Sequence, residues 1–261
     1  MNKYIELVRP RHLIGNMLIF LTGTAFYWKI NSFTNPILGL VSFLLIYASV
    51  YINNDLCDVE FDRKHYVDWK RKRPLASGEI STTLAKKIMM ILLMSGLALS
   101  LLVSHIFTLI NLSMFVINYA YSTLKLKTKP MLGTALIIVV QYLKLLNGWL
   151  VNTQSMQGAP LLFFGAYACT YGLILSIYKK AFFKEKWKSF LKIVGTIAAI
   201  LFVSSLIINP LVRQVITRLM IICVTGFVFL KKYIKNINKY FVKGMLIAQL
   251  TYLLLIITIL L

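Results

Sequence analysis

Every Asp in the chain falls between positions 55 and 68, as Asp55, Asp58, Asp62 and Asp68. On a helix, Asp55, Asp58 and Asp62 stand at i, i+3 and i+7 and share one face, with Asn54 beside them. Carboxylates stacked in this way repel one another unless a positive charge lies among them. An all-oxygen donor set suits Mg2+, which keeps several waters and joins carboxylates to substrate phosphates. Asp55, Asp58 and Asp62 are therefore the expected metal ligands and catalytic carboxylates. The residues that follow are basic: Arg63, Lys64, Lys70, Arg71, Lys72 and Arg73. Beside a metal, Lys70 and Arg73 would clamp a departing pyrophosphate. Charge balance between an acidic turn and a basic loop is the plainer reading, but balance alone does not require same-face spacing.

The elements that must position these residues are written in the composition. Of 261 residues, 59% are apolar and 14% charged, and the mean hydropathy is +0.75. That excludes a water-soluble globular fold, and disorder as well, which needs low hydrophobicity. Apolar runs long enough to cross about 30 Å of hydrocarbon as helix occur at Leu13 to Trp28, Pro36 to Asn53, Lys87 to Val103, Ile106 to Leu124 and Met131 to Val151. Others occur at Pro160 to Tyr178, Phe190 to Ile208, Leu211 to Leu230 and Phe241 to Leu261. The expected architecture is all-α, a polytopic bundle of nine transmembrane helices, with residues 1–261 as a single integral membrane domain. The acid cluster belongs to a helix continuing from the second span.

The 29 Lys and Arg against 8 Asp and Glu give a net charge of +21. With the N-terminus inside, 25 of the 29 fall in inner segments, the asymmetry that orients membrane proteins. The expected topology is N-terminus in the cytoplasm and C-terminus outside. The basic excess then needs no nucleic-acid partner, only the bilayer and its anionic lipid. No cleavable leader is expected, the first span acting as an uncleaved anchor. Cys57, Cys169 and Cys223 are too scattered for a disulfide or zinc framework. A transporter would place several polar groups within spans and show paired repeats, and neither pattern is visible.

The run Asn54-Asp55-Leu56-Cys57-Asp58-Val59-Glu60-Phe61-Asp62-Arg63-Lys64-His65 resembles the NDxxDxxxD signature of the UbiA superfamily of intramembrane prenyltransferases. Lys70 to Gly78 is similar to the KxxRPLASG segment that follows it, and Arg9-Pro10-Arg11-His12 with Asn16 and Phe20 is similar to the family's first helix. The resemblance implies a nine-helix bundle around a central cavity and an Mg2+-dependent reaction on a pyrophosphate-bearing donor and a polyprenyl lipid. Within the superfamily the motif pair most resembles the polyprenyl-phosphate phosphoribosyltransferase branch, which moves phosphoribose onto a lipid phosphate. The more general reaction moves a prenyl group from its diphosphate to an aromatic or other acceptor. By resemblance, Asn16, Asn54, Lys70, Arg73, Lys127 and Lys144 bind substrate.

The sequence also departs from the pattern. The family carries a second Asp motif at the start of the fifth span, after a Tyr-Ser and Leu-Lys segment. Tyr121-Ser122 and Leu126-Lys127 are recognisable here, but Gly133 stands where the first Asp of that motif belongs, and no Asp follows Asp68. Three outcomes are open: one metal with Lys125, Lys127 and Lys129 completing the neutralisation, a less charged substrate, or a lipid-binding relative that has lost catalysis. Lys144 falls three helical turns after Gly133, where the phosphoribosyl branch has Arg. An ionisable residue inside a span points to function, the alternative being a Lys that snorkels to the outer interface.

Overall fold

The computed structural model describes residues 2–27, 33–178 and 185–217, and all its regular structure is helical. A short α1 (Lys3–Leu7) leads into α2 (Pro10–Ala25) and the long α3 (Thr34–Arg63). A single turn, α4 (Asp68–Arg71), precedes α5 (Thr82–Val103) and α6 (His105–Thr123). The 3-10 turn η1 (Leu126–Thr128) then leads to α7 (Pro130–Leu150), α8 (Leu161–Tyr178) and α9 (Glu185–Ile208). Helical backbone resumes at 210–217.

The first seven expected spans map onto α2, α3 and α5 to α9, and the eighth begins at 210–217. Its remainder and the ninth lie outside the described residues, as does Cys223. Nine is therefore not the count of helices seen: α1, α4 and η1 are short additions, and among the described residues five helices are long and apolar enough to cross a membrane. The short elements escaped notice because a single turn carries no hydrophobic periodicity.

Local chemistry sets the boundaries. Ser81 and Ser104 cap α5 and α6, their hydroxyls accepting from the N–H groups of Leu84 and Phe107. Pro10 and Pro130 open α2 and α7 at the position where a missing N–H costs nothing. The second span and the acid cluster form one unbroken helix of 30 residues, as the spacing of the acids required.

Two helix pairs place the site. Between α2 and α7, Asn16 bonds to Lys144 and Asn152 bonds to the Thr24 carbonyl, both at an offset of 128 residues. A constant offset means the two helices run parallel and in register. They approach through glycine: a Cβ on Gly23 would collide with the Leu145 carbonyl, and one on Gly148 with the Phe20 carbonyl. Likewise α3 and α6 run parallel, with Tyr47 against Met114, Asn54 against Ser122 and Cys57 against Thr123. The N-terminal ends of α2 and α7 and the C-terminal ends of α3 and α6 therefore gather at one end of the bundle. Beneath them Phe20, Phe43 and Phe107 pack as a buried cluster, with Phe20 at 4.9 Å from the Phe43 ring and 6.3 Å from that of Phe107.

Candidate active site

A cavity of about 660 Å³ opens where those helix ends meet. One wall is the last turns of α3, giving Asn54, Asp58, Glu60 and Asp62. The facing wall is the end of α6 with η1, giving Tyr121, Ser122, Lys125, Lys127 and Thr128. Arg9, Lys70 and Arg73 complete the rim. Five cationic side chains thus surround three carboxylates, so the cavity favours an anionic ligand even before any metal is added.

The three carboxylates expected to act together are divided between two environments. Asp55 is 3% exposed and does not line the cavity. It accepts hydrogen bonds from both ends of the Arg9 guanidinium, including Nε at 3.2 Å, and from Arg73 Nη1 at 3.2 Å. Arg73 Nη1 also donates to Asp62 at 2.5 Å, so one guanidinium lies between two of the stacked acids. Asp58 faces the cavity and pairs with Lys127. The positive charge that the acid stack demands is therefore supplied, in this structure, by Arg9, Arg73 and Lys127. Both Asp55 carboxylate oxygens are engaged by arginine in this structure.

Backbone geometry shows how Arg9 reaches its place. It sits at φ 51 and ψ 63, left-handed backbone unusual for a residue with a side chain, at the corner between α1 and α2. That corner turns its guanidinium toward α3 and over the Tyr51 ring, 5.8 Å away. Nearby His12, ahead of the apolar stretch of α2, has its imidazole pushed below the usual range by burial and by the charges of Arg9 and Arg73. Arg73 stacks on Trp69 at 4.9 Å, and Lys70 lies 3.1 Å from His65 Nε2 and over the Phe61 ring. Asn54 accepts from the Ser122 hydroxyl.

Lys144 and Asn16 lie elsewhere, below the cavity rather than in its wall. Lys144 is 4% exposed and donates to Asn16 Oδ1 at 2.8 Å, with its ammonium 4.8 Å from the Tyr47 ring. Asn16 in turn donates to the Tyr51 hydroxyl at 2.6 Å. Lys144 does not snorkel, since its side chain is enclosed by α2 and α3. The polar line Lys144, Asn16, Tyr51 and Arg9 connects it to the rim. Arg9 and Tyr51 were not singled out from sequence as site residues. A signal for Arg9 existed in its position directly before Pro10 at a helix start, but its partner 46 residues away leaves no local trace.

The donor chemistry fits a divalent cation of one kind. Among the described residues no three His, Cys, Asp or Glu side chains converge as a metal cage. Asp58, Asp62 and Asn54 do line the same wall, at the C-terminal end of α3, where the helix dipole favours positive charge. That set suits Mg2+ bound through one or two carboxylates and the phosphates of its substrate.

Comparison with known proteins fits this geometry. Residues 16–238 match the model of the UbiA prenyltransferase family. The digeranylgeranylglyceryl phosphate synthase of Sulfurisphaera tokodaii is 31% identical over 149 residues, covering 56% of this chain and 51% of that protein. The decaprenyl-phosphate phosphoribosyltransferase of Mycobacterium tuberculosis is 32% identical over 100 residues, covering 36% of this chain and 32% of that one. The chain thus spans about half or less of the length of the curated relatives it matches. In fold it is similar to a UbiA homolog from Archaeoglobus fulgidus whose structure was determined with GPP and Mg2+, at a TM-score of 0.71, 20% identity and coverage of 99% of this chain and 98% of that one. With the family model matched across most of its length and the same fold around an acid-bearing second span, this chain is an integral membrane protein of the UbiA prenyltransferase family.

Proposed function

We propose that the chain is an Mg2+-dependent transferase that displaces pyrophosphate to join a polyprenyl lipid to a partner substrate, with phosphoribosyl transfer to a polyprenyl phosphate as the reaction. The observation that carries this reading is the cavity itself: Asp58, Asp62 and Asn54 on one wall, with Arg73, Lys70, Lys125 and Lys127 around them. Such a constellation suits a pyrophosphate that arrives with a cation and leaves with two negative charges or more.

In this reading Asp58, Asp62 and Asn54 would hold Mg2+, which when bound withdraws charge from the departing pyrophosphate. Lys70, Arg73 and Lys127 hold the phosphate oxygens. The bond from the donor carbon to pyrophosphate breaks, its electron pair leaving on the pyrophosphate oxygen. The oxygen of the acceptor phosphate then forms the new bond to that carbon. Asp55 acts at one remove: by fixing Arg9 and Arg73 it sets the position of the clamp. Lys144 and Asn16, buried and bonded to each other below the cavity, are assigned in this reading to the polar end of the lipid substrate. With the N-terminus in the cytoplasm, the cavity opens on that side, and the whole chain acts as one membrane domain.

A second reading, prenyl transfer from a prenyl diphosphate, is favoured by the longer matches to digeranylgeranylglyceryl phosphate synthases. Purified protein with Mg2+, given either a polyprenyl phosphate and phosphoribosyl pyrophosphate or a labelled prenyl diphosphate with candidate acceptors, separates the two. Labelled lipid formed only with the ribose donor supports the first. Release of pyrophosphate in neither assay overturns both and leaves a lipid-binding relative.

A further inference from the structure

We propose that His65 is an anion-binding residue: its Nε2–H and the Lys70 ammonium form a two-donor seat, at the rim of the cavity, for one phosphoryl oxygen of the pyrophosphate-bearing substrate. The inference rests on the pyrophosphate-displacing reading above and adds to it a side chain that meets the ligand.

Hydrogen-bond accounting carries the assignment. The Val67 N–H donates to His65 Nδ1 at 3.1 Å. An imidazole nitrogen that accepts carries no hydrogen, so the ring hydrogen stands on Nε2. That nitrogen lies 3.1 Å from Lys70 Nζ, and an ammonium group has hydrogens but nothing to accept with. Two donors therefore face each other with no acceptor between them. A single negatively charged oxygen satisfies both.

The surroundings leave this pair without another partner. The carboxylates of the segment are already engaged: Asp55 by Arg9 and Arg73, Asp58 by Lys127, Glu60 by Arg63, Asp62 by Arg73 and Asp68 by Arg71. Lys70 is held by aromatic faces instead, 5.6 Å from the Phe61 centroid and 5.9 Å from that of Trp69. His65 packs edge-on against Phe61 at 5.1 Å and stacks on Tyr66 at 4.6 Å. One backbone bond and two rings thus fix the imidazole, while the lysine stem is flexible.

Lys70 lines the cavity, and both residues are half-buried, so a ligand reaches them from the cavity side. The hydroxyls of Tyr121, Ser122 and Thr128, with the ammonium groups of Lys125 and Lys127, belong to the opposite wall and meet the ligand from there. On binding, the Lys70 ammonium swings off Nε2 and both donors close on the same oxygen, the imidazole needing no rearrangement to do so. That oxygen belongs to the pyrophosphate or to a further phosphate on the same molecule, which phosphoribosyl pyrophosphate carries and a prenyl diphosphate does not.

The test measures binding of inorganic pyrophosphate and of phosphoribosyl pyrophosphate to the full chain in lipid nanodiscs at saturating Mg2+. In His65→Asn the side-chain oxygen still takes the Val67 N–H, as in an Asx turn, but the Nε2–H donor is gone. Its melting temperature should match wild type while affinity falls about tenfold, the scale of a lost charged hydrogen bond. His65→Gln, which returns an amide N–H toward the place of Nε2, should keep most of the affinity. A loss seen with both ligands assigns the seat to pyrophosphate, and a loss seen with phosphoribosyl pyrophosphate alone assigns it to the further phosphate. Affinity for both ligands unchanged in His65→Asn, or lost equally in the two variants, would overturn the assignment alone. Absence of any binding of either ligand by the wild-type chain would overturn the pyrophosphate-displacing reading as well.

Discussion

Arg9 and Asp55 form a two-point ion pair that joins the corner before α2 to the last turns of α3. Arg73 shares the same carboxylate, so Asp55 holds two cations of the rim while remaining out of the cavity. This separates it in kind from Asp58, three residues later on the same helix, which faces the cavity and one lysine.

Asp55→Ala leaves two buried or half-buried guanidinium groups without their shared partner, a change that costs on the order of 3 kcal/mol. Asp58→Ala removes a partly exposed carboxylate and should cost at most about 1 kcal/mol. Thermal melting in matched nanodiscs is expected to show a large fall for the first and a small one for the second, while both lose activity. Equal melting temperatures in the two variants would show that Asp55 has no special structural part.

Lys144 has no carboxylate partner among the described residues, only Asn16 and the face of Tyr47. Burying a lone cation costs several kcal/mol, more than the roughly 1–3 kcal/mol lost by orphaning the Asn16 carbonyl. Lys144→Met should therefore keep or raise the melting temperature while turnover falls at least about tenfold, the outcome for a charge retained for function. A lower melting temperature with turnover intact would mark Lys144 as structural.

The contact of α2 with α7 depends on the missing side chain of Gly148, which lies against the Phe20 carbonyl. Gly148→Ala forces backbone apart, at about 1–3 kcal/mol, and with it the register that brings Asn16 to Lys144. Gly195→Ala is the control, since its Cβ would find Leu173 at an ordinary 3.8 Å and gains about 1 kcal/mol of helix propensity. Melting temperatures moving in opposite directions are expected; a fall of similar size in both would remove the packing argument.

The parts of the molecule legible in sequence are those with a local signature. Apolar runs of membrane-crossing length gave α2, α3 and α5 to α9, and the acids at i, i+3 and i+7 required the unbroken helix that α3 proves to be. Asn54, Asp58, Asp62, Lys70, Arg73 and Lys127 come together around one cavity. Three relationships were not legible because they join residues distant in the chain: Arg9 with Asp55, Lys127 with Asp58, and Lys144 with Asn16, at separations of 46, 69 and 128 residues. The spacing of the acids asked for a positive charge among them, and sequence alone did not show that arginine supplies it for Asp55.

The most direct measurement is pyrophosphate release by the purified chain in nanodiscs, with Mg2+ and each candidate donor and acceptor pair, in wild type and Asp58→Ala. Release that requires Mg2+, stops with excess chelator and falls about 100-fold or more in Asp58→Ala is the expected result. Release that continues at the wild-type rate in chelator or in Asp58→Ala would contradict a metal-assisted site built on the end of α3.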